Sequence, residues 1–165
     1  DEDLMEAFKS EHRLMPHLHL SLQSHDDIIL KRMKRRHTPK DAEILIYKLK
    51  KVRPNILFGA DLIAGFPTEN VLAFQNTLNA IKKLNLTFLH VFPYSSRPDT
   101  PAARMPQIPL NIRKERAKSL RNLGDNQFKL ALKKSINTFH NICANHCENR
   151  PSKALNHLPT SKILF

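Results

Sequence analysis

Residues 55–65 read NILFGADLIAG, and this run decides the fold class. The run has the length of a strand but lacks the alternation of apolar and polar side chains that a half-exposed strand shows. A strand that is apolar along its whole length is buried on both faces, as the strands of parallel sheets are. We therefore predict a parallel strand here, with helices packed against its sheet.

Two further strands are predicted on either side of this run. Residues 17–23, HLHLSLQ, alternate strictly, and residues 87–95, TFLHVFPYS, form an apolar run that one histidine interrupts. In the first strand the alternation gives two faces, with Leu18, Leu20 and Leu22 on one and His17, His19, Ser21 and Gln23 on the other. The leucine face is expected to pack on the helices.

Helical patterns separate the three strands. Ser24 and Asp27 are predicted to cap a helix that ends near His37. A second helix is predicted with Thr38 as N-cap, Pro39 in the first position and Asp41 in the third, ending before Pro54. Pro67 and Thr68 are predicted to begin a third helix. The apolar face of that helix would carry Val71, Phe74, Leu78 and Ile81. The order strand, helix, strand, helix, strand predicts an α/β layer or barrel.

The remainder of the chain changes in composition. Residues 97–109 are rich in proline and are predicted to form a loop. A basic helix is predicted over 110–136, with an interruption at Gly124. Residues 137–165 show no periodicity, and no regular structure is predicted for them.

Composition limits the possible functions. The chain has 165 residues, and its 27 Lys and Arg against 15 Asp and Glu give a net charge of +12. This charge suits a polyanion such as RNA or an anionic membrane face, and it favours a nucleic-acid partner over a merely solvated surface. No signal peptide is expected at the start of the chain, and the chain contains no apolar run of the about 20 residues that would span a membrane. The two cysteines agree with a reducing compartment, so a cytoplasmic location is expected. Because the sequence begins at Asp1 rather than at methionine, a processed or partial chain is expected.

Candidate site residues follow the strands, because ligands of parallel α/β proteins bind at the carboxyl ends of the strands. Gln23 and Ser24 follow the first strand, Gly65 and Glu69 follow the second, and Tyr94 ends the third. Gly65 has a plain structural alternative, since a tight turn from strand to helix favours glycine.

Asp61 and His90 interrupt strands that are otherwise apolar. A buried carboxylate without a partner is costly, so Asp61 is a candidate for ligand contact. Strand histidines such as His17, His19 and His90 are more often hydrogen-bonded core residues than catalytic ones, and packing is the expected role for them.

Two other groups of residues carry possible chemistry. The run LKRMKRRH is either a solvated surface or an anion site, with Arg35 and Arg36 as the candidates for binding a phosphate or carboxylate. His140, Cys143, His146 and Cys147 are of metal-binding types, but their spacing fits no standard zinc pair. No metal site is predicted.

Three segments in order carry a family resemblance: HLHLSLQSHDDIILKRMKRRHT, GADLIAGFPTEN and HVFPYSSRPDTPAARM. Together they resemble the methylthiotransferase branch of the radical S-adenosylmethionine enzymes. The third segment is most similar to the threonylcarbamoyladenosine-tRNA methylthiotransferases. The resemblance extends over about residues 14–136.

The resemblance implies a partial (β/α) barrel, of which residues 1–109 would be the C-terminal part. Such enzymes bind a [4Fe-4S] cluster on a three-cysteine loop and S-adenosylmethionine beside it, carry a second cluster in an amino-terminal domain, and act on tRNA. Residues 110–136 would then be a basic helical extension, and 137–165 a divergent tail.

The resemblance also implies roles for the candidate residues. Gln23 and Ser24 would lie near the S-adenosylmethionine pocket. Arg35 or Arg36 would approach the cofactor's carboxylate or the RNA. The remaining cofactor-facing positions that it implies are Asp61, Gly65, Glu69 and Tyr94.

The sequence lacks the family's cysteine motif for the [4Fe-4S] cluster. The Cys-x3-Cys-x2-Cys motif does not occur, because Cys143 and Cys147 have the first spacing but Arg150 holds the third place. His25 also stands where the family usually has glycine. We expect no catalytic residue or cluster ligand in this chain, and activity only if a separate polypeptide carrying the N-terminal half supplies the cluster. The alternatives are a non-catalytic RNA-binding module and a decayed gene remnant.

Overall fold

The computed structural model of the chain describes residues 2–136 and, as backbone only, residues 139–141 and 162–164. The chain divides into two units, Asp1–Phe128 and Lys129–Phe165. The elements of the first unit are α1 (Glu2–Ser10), β1 (His17–Gln23), α2 (Asp27–Arg32), α3 (Pro39–Val52), β2 (Leu57–Ala64), α4 (Val71–Leu84), β3 (Leu86–Pro93) and most of α5 (Leu110–Ser135). The second unit holds the end of α5 and an antiparallel pair, β4 (Phe139–Asn141) and β5 (Lys162–Leu164).

The three predicted strands form one sheet in the order β1-β2-β3, and both pairings are parallel. This confirms the α/β class. The register places His19 of β1 opposite Gly59 of β2, and Asp61 of β2 opposite His90 of β3. Side chains from three neighbouring strands therefore meet on one face of the sheet.

The helices cover the opposite face of the sheet. Leu22 of β1 and Phe58 and Leu62 of β2 are buried there against Ile46 of α3 and Ile81 of α4. Burying one such side chain contributes about 1.5–3 kcal/mol. The prediction that the leucines of β1 face the helices is confirmed, since Leu22 is buried in this core and the other two pack against it.

The helix after β1 differs from the prediction at both ends. Asp26, not Ser24, is the N-cap of α2, and its carboxylate accepts hydrogen bonds from the amides of Ile28 and Ile29, both at 3.1 Å. The helix ends at Arg32 rather than near His37, because Lys34 takes a left-handed conformation with φ of 56°. Much of the basic run therefore lies in a turn.

The second predicted helix is confirmed at its start and at its end. The Thr38 side chain accepts a hydrogen bond from the Asp41 amide, and the Asp41 carboxylate accepts one from the Thr38 amide. Pro39 is the first residue of α3, and the helix ends at Val52, before Pro54.

The starting point predicted for the third helix is wrong. Asn70 is the N-cap of α4, and its side chain accepts a hydrogen bond of 2.8 Å from the Ala73 amide. Thr68 cannot open the helix because it has a φ of 69°. The residues before Asn70 form a separate turn.

The C-terminal part holds two further differences from the sequence prediction. Gly124 does not interrupt α5, which is continuous from Leu110 to Ser135. A Cβ at Gly124 would lie 3.0–3.2 Å from the Leu89 side chain, so glycine lets the helix approach β3 closely. The predicted loop contains a 3₁₀ turn, Pro101–Arg104.

Two expectations are not settled by the fold. The prediction of no regular structure over 137–165 differs from the fold at residues 139–141 and 162–164, which form the antiparallel pair β4-β5. The rest of that range, and the side chains of the metal-binding residue types in it, lie outside the described residues. The division at residues 109 and 136 stays a prediction. Among the described helices, none has both the length and the apolar character that crossing a membrane requires.

Candidate functional site at the carboxyl ends of the strands

The turn after β1 buries two polar side chains. Gln23 has a φ of 64°, and its side-chain amide donates a 2.8 Å hydrogen bond to the Ser21 hydroxyl. The Ser24 hydroxyl is buried and has no hydrogen-bond partner among the described residues. Leaving a buried hydroxyl unpaired costs about 1–3 kcal/mol, so the position favours a partner other than the described residues.

The turn after β2 is held by a buried carboxylate. Gly65 has a φ of 71°, and its amide donates a 2.9 Å hydrogen bond to Glu69 Oε2. The same oxygen accepts a 2.6 Å hydrogen bond from Arg116 Nη1, which also donates to the Glu69 carbonyl at 2.7 Å. Glu69 thus joins its own turn to α5.

Burial and hydrogen bonding act in opposite directions on this carboxyl group. The Glu69 side chain is 2% exposed and that of Arg116 is 12% exposed. Burial raises the pKa of Glu69, and the hydrogen bonds from Arg116 and from the Gly65 amide oppose that rise. Arg116 therefore keeps a buried charge compensated, and Glu69 is occupied within the turn.

The end of β3 borders an open cleft of about 470 Å³. Tyr94 lies on its wall, its amide donates to the Ala64 carbonyl at 2.8 Å, and its ring meets that of Phe66 edge to face at 5.3 Å. Arg113 of α5 donates a 2.8 Å hydrogen bond to the Tyr94 carbonyl. The cleft is lined by Ile63, Phe92, Pro93, Tyr94, Ser95, Arg97, Thr100 and Ala102. An apolar cleft with a few polar groups is typical of small-molecule sites.

A second group of side chains lies earlier along the strands. His19 Nε2 is 2.9 Å from Asp61 Oδ1, and His90 Nδ1 is 3.3 Å from the same oxygen. His17 lies beside them, with its ring edge to face against Phe88 at 5.0 Å. Burial and, less strongly, the charge of His19 lower the pKa of His17. The structure therefore gives Asp61 two imidazole partners.

The basic run borders the same end of the sheet. Arg35 and Arg36 are exposed, and the guanidinium group of Arg32 donates a hydrogen bond to the Thr68 hydroxyl in the turn after β2. This contact places the start of the basic run beside the strand ends. Anions approaching the site therefore meet positive charge at its rim.

Sequence reasoning brought five of the eight predicted residues to the strand ends and missed the residues of α5 that hold them. Gln23, Ser24, Gly65, Glu69 and Tyr94 lie at these ends, as predicted. Asp61 lies deeper, and Arg35 and Arg36 are exposed in the segment that follows α2. The residues missed are Arg113 and Arg116, which contact turns 19 and 47 residues away.

Their signal in the sequence was weak. Both arginines belong to a helix with many basic residues, and nothing local distinguishes the two that point inward. The spacing of three residues, which puts Arg113 and Arg116 on one helix face, is the one available hint.

Known proteins match this chain over most of its length. The Radical SAM superfamily profile matches residues 1–81. A threonylcarbamoyladenosine tRNA methylthiotransferase of Rickettsia prowazekii is 54% identical over 136 residues, which cover 82% of this chain and 32% of that protein. A tRNA-2-methylthio-N(6)-dimethylallyladenosine synthase of Ehrlichia canis is 43% identical over 123 residues, 74% of this chain and 28% of that protein.

A third relative matches over a similar length. The threonylcarbamoyladenosine tRNA methylthiotransferase of Aquifex aeolicus is 40% identical over 124 residues, 74% of this chain and 30% of that protein. The chain thus spans about a third of the length of these curated relatives.

Proposed function

We propose that this chain, which belongs to the radical S-adenosylmethionine methylthiotransferases, forms one wall of a catalytic barrel that adds a methylthio group to a tRNA nucleoside. The observation that carries the proposal is the buried Ser24 hydroxyl, which lacks a partner among the described residues at the strand end where such a barrel binds its cofactor. The proposed nucleoside is N6-threonylcarbamoyladenosine, as the names of the Rickettsia and Aquifex relatives suggest.

The residues of the strand ends fit S-adenosylmethionine, a molecule with hydroxyl, amino, carboxylate and aromatic groups. Ser24 and Gln23 offer a hydroxyl and a carboxamide at the end of β1. Tyr94 offers a ring and its cleft an apolar wall at the end of β3. When bound, this cofactor supplies the radical chemistry of the family. We propose that these three side chains bind and orient it.

The turn after β2 has a supporting role in this proposal. Gly65 lets the backbone approach the site without a side chain, and Glu69, fixed by Arg116, holds the turn in place. Arg35 and Arg36 are proposed to receive the cofactor's carboxylate or an RNA phosphate at the rim, where guanidinium forks suit both. Asp61 is proposed to face the interior of the barrel beneath the cofactor.

The residues present do not fit an iron-sulfur cluster. Cluster binding requires several thiolates, and residues 2–136 contain no cysteine. The [4Fe-4S] cluster that the family implies would therefore have its ligands elsewhere, on a polypeptide that carries the N-terminal half. We propose that the 165 residues alone do not catalyse the reaction.

The tRNA partner is supported by charge as well as by relatedness. The net charge of +12 favours binding to a polyanion. Exposed basic side chains cluster beside the strand ends, namely Lys31, Arg32, Lys34, Arg35 and Arg36. The same patch would support an RNA-binding module without catalysis, so binding alone does not establish the enzymatic role.

A chimera tests the enzymatic role directly. Residues 17–128 of this chain replace the matching segment of the Rickettsia relative, which brings its own cluster-binding half. We expect methylthiolated nucleoside in tRNA, measured by mass spectrometry of digested tRNA. A chimera that binds its clusters, seen in the visible spectrum, yet forms no product contradicts the proposal.

The control uses the same chimera with an exposed serine changed. Ser119→Ala removes a hydroxyl that donates only to the Glu115 carbonyl within α5, so product formation is expected to persist. Ser24→Ala in the chimera is expected to reduce it. If the Ser24→Ala and Ser119→Ala chimeras form equal amounts of product, Ser24 does not support the proposed cofactor site.

A further inference from the structure

Three side chains from three neighbouring strands form a compact group, of which the proposed function involves only Asp61. His19, Asp61 and His90 offer two imidazole nitrogens and a carboxylate oxygen that all lie within 4.8 Å of one another. We propose that these residues form a binding site for a first-row divalent transition metal ion such as Zn²⁺ or Fe²⁺.

The distances suit an ion with little rearrangement. Ligand atoms at about 2.0–2.2 Å from one ion lie about 2.9–3.6 Å from each other in tetrahedral or octahedral geometry. The separations to Asp61 Oδ1 are 2.9 Å from His19 Nε2 and 3.3 Å from His90 Nδ1. The two imidazole rings already lie side by side, with centroids 4.6 Å apart and planes inclined by 34°. Small rotations of the rings would bring all three atoms around one ion.

The donor set favours this class of metal. Two imidazoles and one carboxylate form the three-ligand set of catalytic zinc sites and of non-haem Fe(II) sites, both of which keep positions open for water or a ligand. The hard ions Mg²⁺ and Ca²⁺ prefer all-oxygen sets. The chemistry of the group therefore points to a transition metal.

The backbone holds the three residues in place. They stand on hydrogen-bonded parallel strands, with Asp61 directly opposite His90. Gly59, opposite His19, leaves room for the imidazole, since a Cβ there would lie 2.3 Å from His19 Nδ1. A side chain at residue 59 would push His19 away from Asp61, so the glycine is part of the site.

Access and local charge permit an ion to enter. The side chains of His19 and Asp61 are 28% and 31% exposed, and that of His90 is 65% exposed. Arg121 and Asp125 of α5 line a cleft beside His90, and their charges are opposite. Asp61 supplies the one carboxylate of the group, and the two imidazoles supply nitrogen donors beside it.

The site is separate from the proposed cofactor position. Asp61 lies four residues before Gly65, and His19 lies four residues before Gln23. Strands rise about 3.3 Å per residue, so Asp61 and His19 lie about 13 Å along their strands from Gly65 and Gln23. The proposal therefore does not depend on the proposed function, and the chimera can succeed where the metal test fails.

Metal titration of the full chain tests the site. The chain carries Cys143→Ser and Cys147→Ser, which removes competing thiolates, and bears no histidine tag. We expect one equivalent of Zn²⁺ in calorimetry and, with Co²⁺, visible absorption bands that Zn²⁺ abolishes. The absence of saturable binding in both titrations would overturn the proposal.

Variants locate the bound ion. Loss of a residue that only hydrogen-bonds to a metal ligand costs about 10–100-fold in metal affinity, so loss of a direct ligand in Asp61→Asn or His90→Gln should cost at least tenfold. His90 is largely exposed, so its variant is expected to fold even if that of Asp61 does not. His17→Gln, on the same face but outside the group, should leave the affinity unchanged. Unchanged affinity in the His90 variant would show that the ion binds elsewhere and would overturn the assignment.

Discussion

Removing the Arg116 side chain is expected to destabilise the chain strongly, because it leaves a charge buried without its partner. Arg116 Nη1 makes hydrogen bonds of 2.6 Å and 2.7 Å to Glu69, whose side chain is 2% exposed. Breaking a buried ion pair by removing one partner costs about 3–5 kcal/mol. The Arg116→Ala variant should lose this amount of unfolding free energy at neutral pH, measured by urea denaturation followed by circular dichroism.

The pH dependence separates lost charge compensation from lost packing. Burial already raises the pKa of Glu69, and without Arg116 that pKa rises further. Below the pKa that Glu69 has in the unfolded chain, its carboxyl group is protonated in both the folded and the unfolded state. The penalty for burying its charge is then absent, so the variant regains in acid most of the stability that it lacks at neutral pH. The difference between wild type and variant should therefore shrink as the pH falls.

A control on the same helix calibrates the size of this effect. Arg121 is exposed and donates a 2.9 Å hydrogen bond to the Val91 carbonyl. Its change to alanine should cost about 1 kcal/mol, as a single net hydrogen bond does. If Arg116→Ala costs no more than Arg121→Ala, or costs the same at all pH values, the reasoning about Glu69 is refuted.

Three further outcomes are expected. Gly65→Ala should lower the free energy of unfolding by about 2–4 kcal/mol, measured by urea denaturation. Residue 65 has a φ of 71°, and the added methyl would lie 2.4 Å from Arg113 Cγ in α5. An unchanged free energy of unfolding would contradict this turn geometry. Hydrogen bonds from Lys83 and His25 lower the pKa of Glu43, so the wild type should lose stability as the pH falls through that pKa. The free energy of unfolding of Glu43→Gln should depend less on pH in acid. Superimposable plots of the free energy of unfolding against pH would contradict this. Changing Arg35 and Arg36 to glutamate should reduce the salt dependence of tRNA binding by about one unit of slope per lost phosphate contact, measured by filter binding; an unchanged slope would place the RNA elsewhere.

The strands and one helix were predictable because their signals are local. The alternation of β1 and the continuous apolar run of β2 each follow from which faces are buried. The N-cap of α3 follows from Thr38 and Asp41, which satisfy each other's backbone amides over three residues. Where one short segment holds all the interacting groups, the sequence is sufficient.

Competing local choices explain the errors at the other helix starts. Ser24 and Asp26 are both good N-caps, and the left-handed turn at Gln23 places Asp26 at the helix start. Thr68 resembles an N-cap, but its left-handed conformation leaves that role to Asn70. Tertiary geometry decides between such residues.

The interactions within the candidate site depend on contacts across the chain. Glu69 and Arg116 are 47 residues apart, and Asp61 meets His19 across 42 residues. The strand pattern placed Asp61 and both histidines on the sheet, but their contact required the register of three strands. Sequence patterns predict such faces, whereas pairing across them comes from the fold.

The central claim is that the strand ends of this chain bind S-adenosylmethionine, and the affinity of the chimera for that molecule tests it most directly. The chimera is compared with its Ser24→Ala and Ser119→Ala variants by equilibrium dialysis. Loss of one hydrogen bond worth about 1 kcal/mol predicts about a fivefold weaker Kd for Ser24→Ala, with cluster content and the Ser119→Ala value unchanged. Equal affinity of all three proteins would contradict the claim.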